Sequence, residues 1–418
     1  MGALFYIIGV AICAAVLLQL MLWTTGTLAS LKHNRQRLEA STQLVREQIE
    51  SARTERNEQV ENAGGWNGYR AFYVEKLEKA ALGITSVYFK PVDQKPIPTF
   101  QSGQHLPLKF NVPGERKPLI RCYSLSSGPR QDSYRISVKS VAPPTNNSNI
   151  PPGRVSHFIN NQLMVGDIVE AKAPSGSFTL SEHGNSPIVL LAGGIGITPI
   201  FSMLEDLIAT GTDRTIVLLY GVRFGREHAF REQIANISAQ HNNVHVINCY
   251  SHPEPIDQAS VDYQVSGWVS IDLIKQILPS SQCMFYLCGP PPFMNSLQSG
   301  LSEWGVPGNR IRHEAFGPAT IKKSSLKPIP NSETKSTVEF VKSDKQLDWD
   351  SQFESVLELA EANDLALESG CRAGSCKTCA IELLSGKVQY PDSMDVDCDA
   401  GECLPCIAIP HGDVQFNV

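Results

Sequence analysis

Cys371-Arg-Ala-Gly-Ser-Cys376-Lys-Thr-Cys379 gathers three thiols in one short loop, and Cys406 follows downstream. The spacing C-x4-C-x2-C with a distant fourth cysteine is what a plant-type 2Fe–2S cluster requires. Two irons each take two thiolates, so a compact loop supplies three sulfurs and a neighbouring strand the last. Gly374 and the small residues around it let backbone N–H groups turn toward the negative charge of such a centre. The competing readings are a structural zinc knuckle and a disulfide pair, and disulfides need an oxidising compartment. Metal ligands Cys371, Cys376, Cys379 and Cys406 are the expectation. Cys398 and Cys403 are alternatives for the fourth position; Cys406 is preferred because apolar residues flank it, whereas Cys398 sits in an acidic turn.

Working outward, the chain has 418 residues, 42% hydrophobic and 19% charged, with a net charge of −6. That is ordinary globular composition, enough for about three domains. Eleven cysteines are few for a disulfide scaffold of this size. Nothing points to a nucleic-acid partner.

Residues 1–31 carry no charged side chain, and Ala3 to Trp23 is almost wholly apolar. About 21 residues at 1.5 Å each span roughly 31 Å as a helix, the thickness of a bilayer core. The first 31 residues are therefore expected to be a single-pass transmembrane anchor. Lys32, His33, Arg35 and Arg37 follow it and orient the catalytic domains to the cytoplasm by the positive-inside rule. Residues 32–65 read as a polar helical stalk.

From Trp66 to residue 183 short strands alternate with Gly, Pro and Asn turns, the grammar of a barrel. Arg121-Cys-Tyr-Ser124 places a guanidinium, an aromatic ring and a hydroxyl along one strand, able to hold a phosphate, stack on a flat ring and hydrogen-bond to it. Gly153-Arg-Val155-Ser156 opens a helix, whose N-terminus is a natural phosphate site. Ser186 to Ala192 is an unbroken apolar run, read as a buried parallel strand. Gly193-Gly194-Ile-Gly196-Ile-Thr198-Pro199 follows it, where glycines let a pyrophosphate approach the backbone. Cys288-Gly289-Pro290-Pro291 ends a later strand, and Glu314-Ala-Phe316-Gly-Pro closes this region.

In that order these motifs resemble the ferredoxin–NADP reductase superfamily. Trp66 to Gln104 looks most like the reductase half of flavohaemoglobins, and residues 336–418 resemble a plant-type ferredoxin. The combination is similar to phthalate dioxygenase reductase and to the reductases of hybrid-cluster protein and phenylacetyl-CoA epoxidase. The resemblance implies a multidomain fold: the anchor (1–31), the stalk (32–65), an antiparallel β-barrel flavin domain (66–183), an α/β parallel-sheet nicotinamide-binding domain (184–318), a linker (319–335) and an α+β, β-grasp ferredoxin domain (336–418). It implies that Arg121 and Ser156 bind the flavin phosphates, that Gly153 and Val155 also belong to the cofactor site, that Tyr123 packs on the isoalloxazine, and that Ser124 sits near its reactive nitrogen. Gly193, Gly194, Gly196, Thr198, Pro199, Cys288, Gly289 and Pro290 would bind the dinucleotide. Ser124, Cys288, Glu314 and Phe316 would serve hydride transfer, with Phe316 covering the flavin face where nicotinamide docks. FAD is favoured over FMN. Arg223 and Arg226 stand where a 2′-phosphate would be read; as solvated loop charges they leave NADH preferred over NADPH.

Nicotinamide delivers two electrons together and the cluster takes one, so a flavin must lie between them. Residues 319–335 read as a tether that keeps the cluster near the flavin. Residues 336–418 carry 16 Asp/Glu against 5 Lys/Arg, a net of −11, which leaves about +5 on the rest. Such an acidic domain can steer a basic partner. The expected function is electron supply from NAD(P)H through FAD and the cluster to a separate, membrane-associated oxygenase, desaturase or hydroxylase. The alternative is direct reduction of a quinone or another diffusible acceptor.

Overall fold

The computed structural model describes residues 66, 68–129, 132–143, 152–180, 184–315, 336–350, 352–372, 374, 376–390, 396, 398 and 401–418. Six antiparallel strands come first: β1 (Arg70–Ala81), β2 (Ile84–Pro91), β3 (His105–Phe110), β4 (Leu119–Ser124), β5 (Tyr134–Lys139) and β6 (Ile168–Ala171). They lie in the order β4-β3-β6-β1-β2-β5, and a bridge between Leu125 and Ile136 closes the two edges into a barrel. Phe72, Phe89, Leu106, Leu108, Tyr134 and Ile136 fill the interior, and the helix Arg154–Asn161 packs Val155 and Ile159 onto it.

The second sheet is parallel throughout: β7 (Ile188–Gly193), β8 (Ile216–Val222), β9 (Val244–Tyr250), β10 (Val265–Ser266), β11 (Met284–Gly289) and β12 (Ile311–Ala315), ordered β10-β9-β8-β7-β11-β12. Every residue of β7 is buried, because helices cover both faces. Ile188, Leu190 and Ala192 meet the helices Ile197–Ala209 and Arg231–Gln240. Val189 and Leu191 meet Ile271–Ile277 and Pro291–Glu303. Strand order reverses between β7 and β11, and ligands of such sheets bind in the crevice beyond the carboxyl ends of the strands at that switch point. Gly193-Gly194 and Gly289-Pro290 stand there.

The barrel and this sheet share their packing. Ile84 and Phe178 join the core around β7, and the Arg135 guanidinium lies over the Phe201 and Phe230 rings at 5.4 and 5.0 Å. Gly128 N–H donates to Glu205 Oε2 at 2.7 Å, and Ser102 Oγ to Asp206 Oδ2 at 2.8 Å.

The third sheet is mixed. It comprises β13 (Thr337–Phe340), β14 (Lys345–Asp348), β15 (Ile381–Ser385), β17 (Glu402–Cys403) and β19 (Val414–Phe416), ordered β14-β13-β19-β15-β17, and a small pair β16 (Val388–Gln389) and β18 (Ile409–Pro410) lies beside it. The helix Val356–Ala362 covers the sheet with Val356, Leu359 and Ala360; Ser355 Oγ caps it by accepting from Glu358 N–H at 3.2 Å.

The transmembrane part of the expected architecture is corrected. No helix among the described residues is long and apolar enough to cross a membrane. The longest, Ile197–Ala209 and Pro291–Glu303, have 13 residues, about 20 Å against a bilayer core of roughly 30 Å. Residues 1–31 and the stalk at 32–65 lie outside the described residues, as does the linker at 319–335, and the membrane localisation inferred from the apolar run is withdrawn.

Candidate functional site

β4 lies at the meeting point of the three sheets. Its pleat turns Arg121 and Tyr123 to one side, Cys122 and Ser124 to the other. Burial pushes the Arg121 guanidinium below its ordinary value, and Arg372 and Arg154 add repulsion. Arg154 is neutralised by Glu115 at 2.9 Å and Arg372 by Glu361. Arg121 has no carboxylate partner among the described residues; its Nη1 donates to Ile120 O at 2.7 Å. A half-buried guanidinium without a counter-ion fits a phosphate. Tyr123 is packed edge-on against Phe110 at 6.3 Å, and burial raises its phenol.

The helix Arg154–Asn161 begins at Gly153 without a side-chain cap, so its first N–H groups are available to an anion. Val155 points into the barrel core and can contribute only its backbone. The Ser156 hydroxyl is already engaged, donating to Gly153 O at 2.9 Å and accepting from Val141 N–H at 3.2 Å.

From the parallel sheet, β11 and β12 pair Cys288 directly with Glu314. Ser124 Oγ donates to Glu314 Oε2 at 3.2 Å. Cys288 is fully buried, and burial followed by the Glu314 charge pushes its thiol well above the ordinary range. A Cβ on Gly196 would lie 2.2 Å from Cys288 O, so only glycine lets the turn after β7 lie against the end of β11. Thr198 and Pro199 are buried in the first turn of Ile197–Ala209, where Thr198 Oγ1 donates to Ile195 O at 3.0 Å. Phe316 lies outside the described residues.

His105 escaped the sequence reading. It pairs with Ser124 across β3 and β4, and its Nδ1 stands 3.6 Å from Glu314 Oε1, an ion-pair distance rather than a hydrogen bond. Burial alone would depress this imidazole; the adjacent Glu314 carboxylate outweighs it, and the net push is upward. The signal available in sequence was its place directly after Gly103-Gln104, opening a strand.

Arg223 and Arg226 follow β8, but both are occupied. Arg223 forms a two-point pair with Glu227, its Nε donating at 3.0 Å, and Arg226 Nε donates to Glu254 Oε2 at 2.8 Å.

The four predicted metal ligands converge as two pairs of thiols. Cys371 N–H points at Cys376 Sγ at 3.2 Å. The Cys379 and Cys406 side chains hydrogen-bond to each other, which holds Cys379 below and Cys406 above the ordinary thiol range. Among the described residues no three His, Cys, Asp or Glu side chains share one point that could hold a single ion. Two thiol pairs with backbone N–H groups turned to sulfur fit a two-iron centre. Cys403-Leu-Pro-Cys406 repeats the C-x2-C spacing, yet Cys403 is fully buried beside Phe340 and Phe416. Cys398 hydrogen-bonds with Tyr390.

The loop that carries Cys371, Cys376 and Cys379 rests on β4. Gly370 lies against Cys122 Sγ of β4 and against Cys376 Sγ, and Lys172 of the barrel reaches Glu368 at 3.8 Å.

Comparison with known proteins accounts for all three sheets. Residues 89–180 match the oxidoreductase FAD-binding domain model, 190–299 the oxidoreductase NAD-binding domain and 341–411 the 2Fe-2S iron-sulfur cluster binding domain. A flavohemoprotein of Halalkalibacterium halodurans is 37% identical over 262 residues, 63% of this chain and 63% of that protein; the chain thus spans less than two thirds of the curated relatives it matches. The flavohem-like FAD/NAD-binding domain of nitric oxide dioxygenase from Vibrio cholerae superposes with a TM-score of 0.53 at 32% identity, covering 60% of this chain and 99% of that one. Phthalate dioxygenase reductase shares the fold over 84% of this chain and 98% of its own, at TM-score 0.52 and 24% identity. FAD, NADH or NADPH, and a 2Fe–2S cluster are accordingly its cofactors. With a barrel and parallel sheet related to the flavohaemoglobin reductases and a cluster domain appended, the chain belongs to the ferredoxin–NADP reductase superfamily of flavin- and nicotinamide-dependent oxidoreductases.

Proposed function

We propose that this protein supplies electrons from NADH, through FAD and the 2Fe–2S cluster, to a separate oxygenase, desaturase or hydroxylase protein. The observation that carries the reading is that β4 is shared: Ser124 reaches Glu314 of the nicotinamide domain at 3.2 Å, while Cys122 touches the loop of the cluster ligands. When bound, the flavin accepts the hydride and passes electrons singly to the cluster.

The chain's own residues do the rest. Arg121, the N-terminus at Gly153 and the Ser156 backbone hold the flavin phosphates, and Tyr123 lies along its ring. Gly193, Gly194, Gly196, Gly289 and Pro290 line the crevice for the dinucleotide, with the uncapped N-terminus of Ile197–Ala209 toward its pyrophosphate. Ser124, positioned by Glu314, hydrogen-bonds to the flavin where hydride arrives, and buried Cys288 packs against the nicotinamide. Phe316, two residues beyond Glu314, is assigned to the docking face on sequence grounds. Cys371, Cys376, Cys379 and Cys406 hold the cluster.

NADH is favoured because Glu227 and Glu254 occupy the two arginines that could read a 2′-phosphate, and both carboxylates would repel it. An acceptor protein is favoured over a quinone because residues 336–418 carry a net charge of −11, which suits docking to a basic protein face. The domain limits 66–183, 184–318 and 336–418 are part of this proposal.

The test is anaerobic reduction of the purified protein with NADH, followed by visible absorbance and low-temperature EPR. Flavin bleaching together with a one-electron cluster signal is expected. Bleaching without a cluster signal would refute the relay and leave direct reduction of a diffusible acceptor.

A further inference from the structure

Between the flavin-facing residues Arg121 and Tyr123, Cys122 turns the other way, toward the cluster domain. Its Sγ and Cys376 Sγ each lie 3.0 Å from the point where a Cβ on Gly370 would stand. Glycine at 370 is thus what lets the two sulfurs approach one another across the domain boundary. Tyr69 closes the contact from the barrel side; its ring is capped by Lys109 at 4.6 Å and Lys172 at 5.2 Å, and it lies close enough to feel Glu368, Cys122 and Cys376. Lys172 and Glu368 bridge the same boundary.

We infer that Cys122 is a positioning residue for electron transfer, donating its S–H to Cys376 Sγ and so raising the cluster's reduction potential while fixing the cluster loop on the flavin strand. The inference rests on Cys376 being a cluster ligand. A metal-bound cysteine is a thiolate, so the one proton available to the pair belongs to Cys122. A donor on a ligand sulfur stabilises the extra negative charge of the reduced cluster, and hydrogen bonds to sulfur are among the factors that set cluster potentials. No atom changes hands: one electron passes from the reduced flavin to the oxidised cluster, and the S–H stays on Cys122.

The test uses the full-length protein loaded with flavin and cluster, comparing wild type with Cys122→Ser, which keeps a donor, and Cys122→Val, which fills the site and loses it. EPR-monitored redox titration should place the valine variant's cluster at a lower potential, with serine near wild type. Stopped-flow traces should show cluster reduction about tenfold slower in the valine variant, roughly the value of one hydrogen bond, with the rate of flavin bleaching by NADH unchanged. Equal potentials in all three proteins would overturn the inference. So would an equal fall in both variants, which would mean that the contact is packing alone. Should valine prove too branched for the site, Cys122→Ala replaces it with the same expectation. Failure of the underlying ligand assignment is separately visible, since Cys376→Ser would then retain the cluster spectrum.

Discussion

The Ser124 hydroxyl donates to Glu314 Oε2 at 3.2 Å and joins residues 190 positions apart. One ends a barrel strand and the other stands one residue before the end of a parallel strand, so the bond exists only when both sheets have folded and packed. His105 stands behind it, 3.6 Å from the same carboxylate. A hydroxyl held by a carboxylate is oriented before substrate arrives, which is where preorganised sites gain their advantage.

Removing that hydroxyl should therefore slow hydride transfer more than it weakens binding. Ser124→Ala is expected to lower the rate of flavin bleaching by NADH by about 10²-fold, with little change in the apparent dissociation constant for NADH. Rapid-mixing absorbance measures both, and a variant as fast as wild type would remove Ser124 from the chemistry.

Cluster chemistry should separate cleanly from flavin chemistry. Cys376→Ser and Cys406→Ser are each expected to abolish the reduced-cluster EPR signal while NADH still bleaches the flavin. Cys403→Ser should keep the signal and lose stability by about 1–3 kcal/mol, because it puts a hydroxyl into an apolar core. Loss of the signal in Cys403→Ser alone would reassign the fourth ligand.

Coenzyme choice should respond to the carboxylates. Glu227→Gln with Glu254→Gln frees Arg223 and Arg226 to meet a 2′-phosphate, and the ratio of kcat/KM for NADPH to that for NADH is expected to rise by about tenfold to a hundredfold, the worth of one or two charge-assisted hydrogen bonds. An unchanged ratio in steady-state assays with both coenzymes would place the discrimination elsewhere.

Stability should fall in acid through His228. Its Nδ1 meets Tyr250 Oη at 2.8 Å, and burial, then Arg231, lowers it from 6.5 to about 3. Above pH 6.5 the folded and unfolded states both carry neutral imidazole, and the contribution is complete. As pH falls from there toward 3 the unfolded chain takes a proton that the folded one refuses, so stability drops by about 1.4 kcal/mol per pH unit. Urea unfolding followed by tryptophan fluorescence across this range should show that slope, and His228→Gln should remove it.

Gly196→Ala should fail structurally. Its Cβ would stand 2.2 Å from Cys288 O, so the turn after β7 or the end of β11 must shift. A loss of several kcal/mol and impaired NADH binding are expected, measurable by thermal melts and by titration of the coenzyme.

Sequence alone determined which chemistries are present and in what order. The C-x4-C-x2-C loop, the Arg-Cys-Tyr-Ser strand, the glycine turn after Ser186 to Ala192 and the Cys-Gly-Pro-Pro end of β11 are local patterns, and each is confined to a few residues because its ligand is. The same local reading also placed a membrane span on the apolar run from Ala3 to Trp23; that run lies outside the described residues, and among these no helix has the length to span a bilayer. Only the tertiary structure decided which groups meet across the chain: Cys406 with Cys379 while Cys403 turns into the core, Glu227 and Glu254 on the two arginines, His105 beside Glu314, and Cys122 against Cys376. Burial, pairing and charge depend on what packs opposite a side chain, and that is set by the arrangement of sheets rather than by neighbours in sequence.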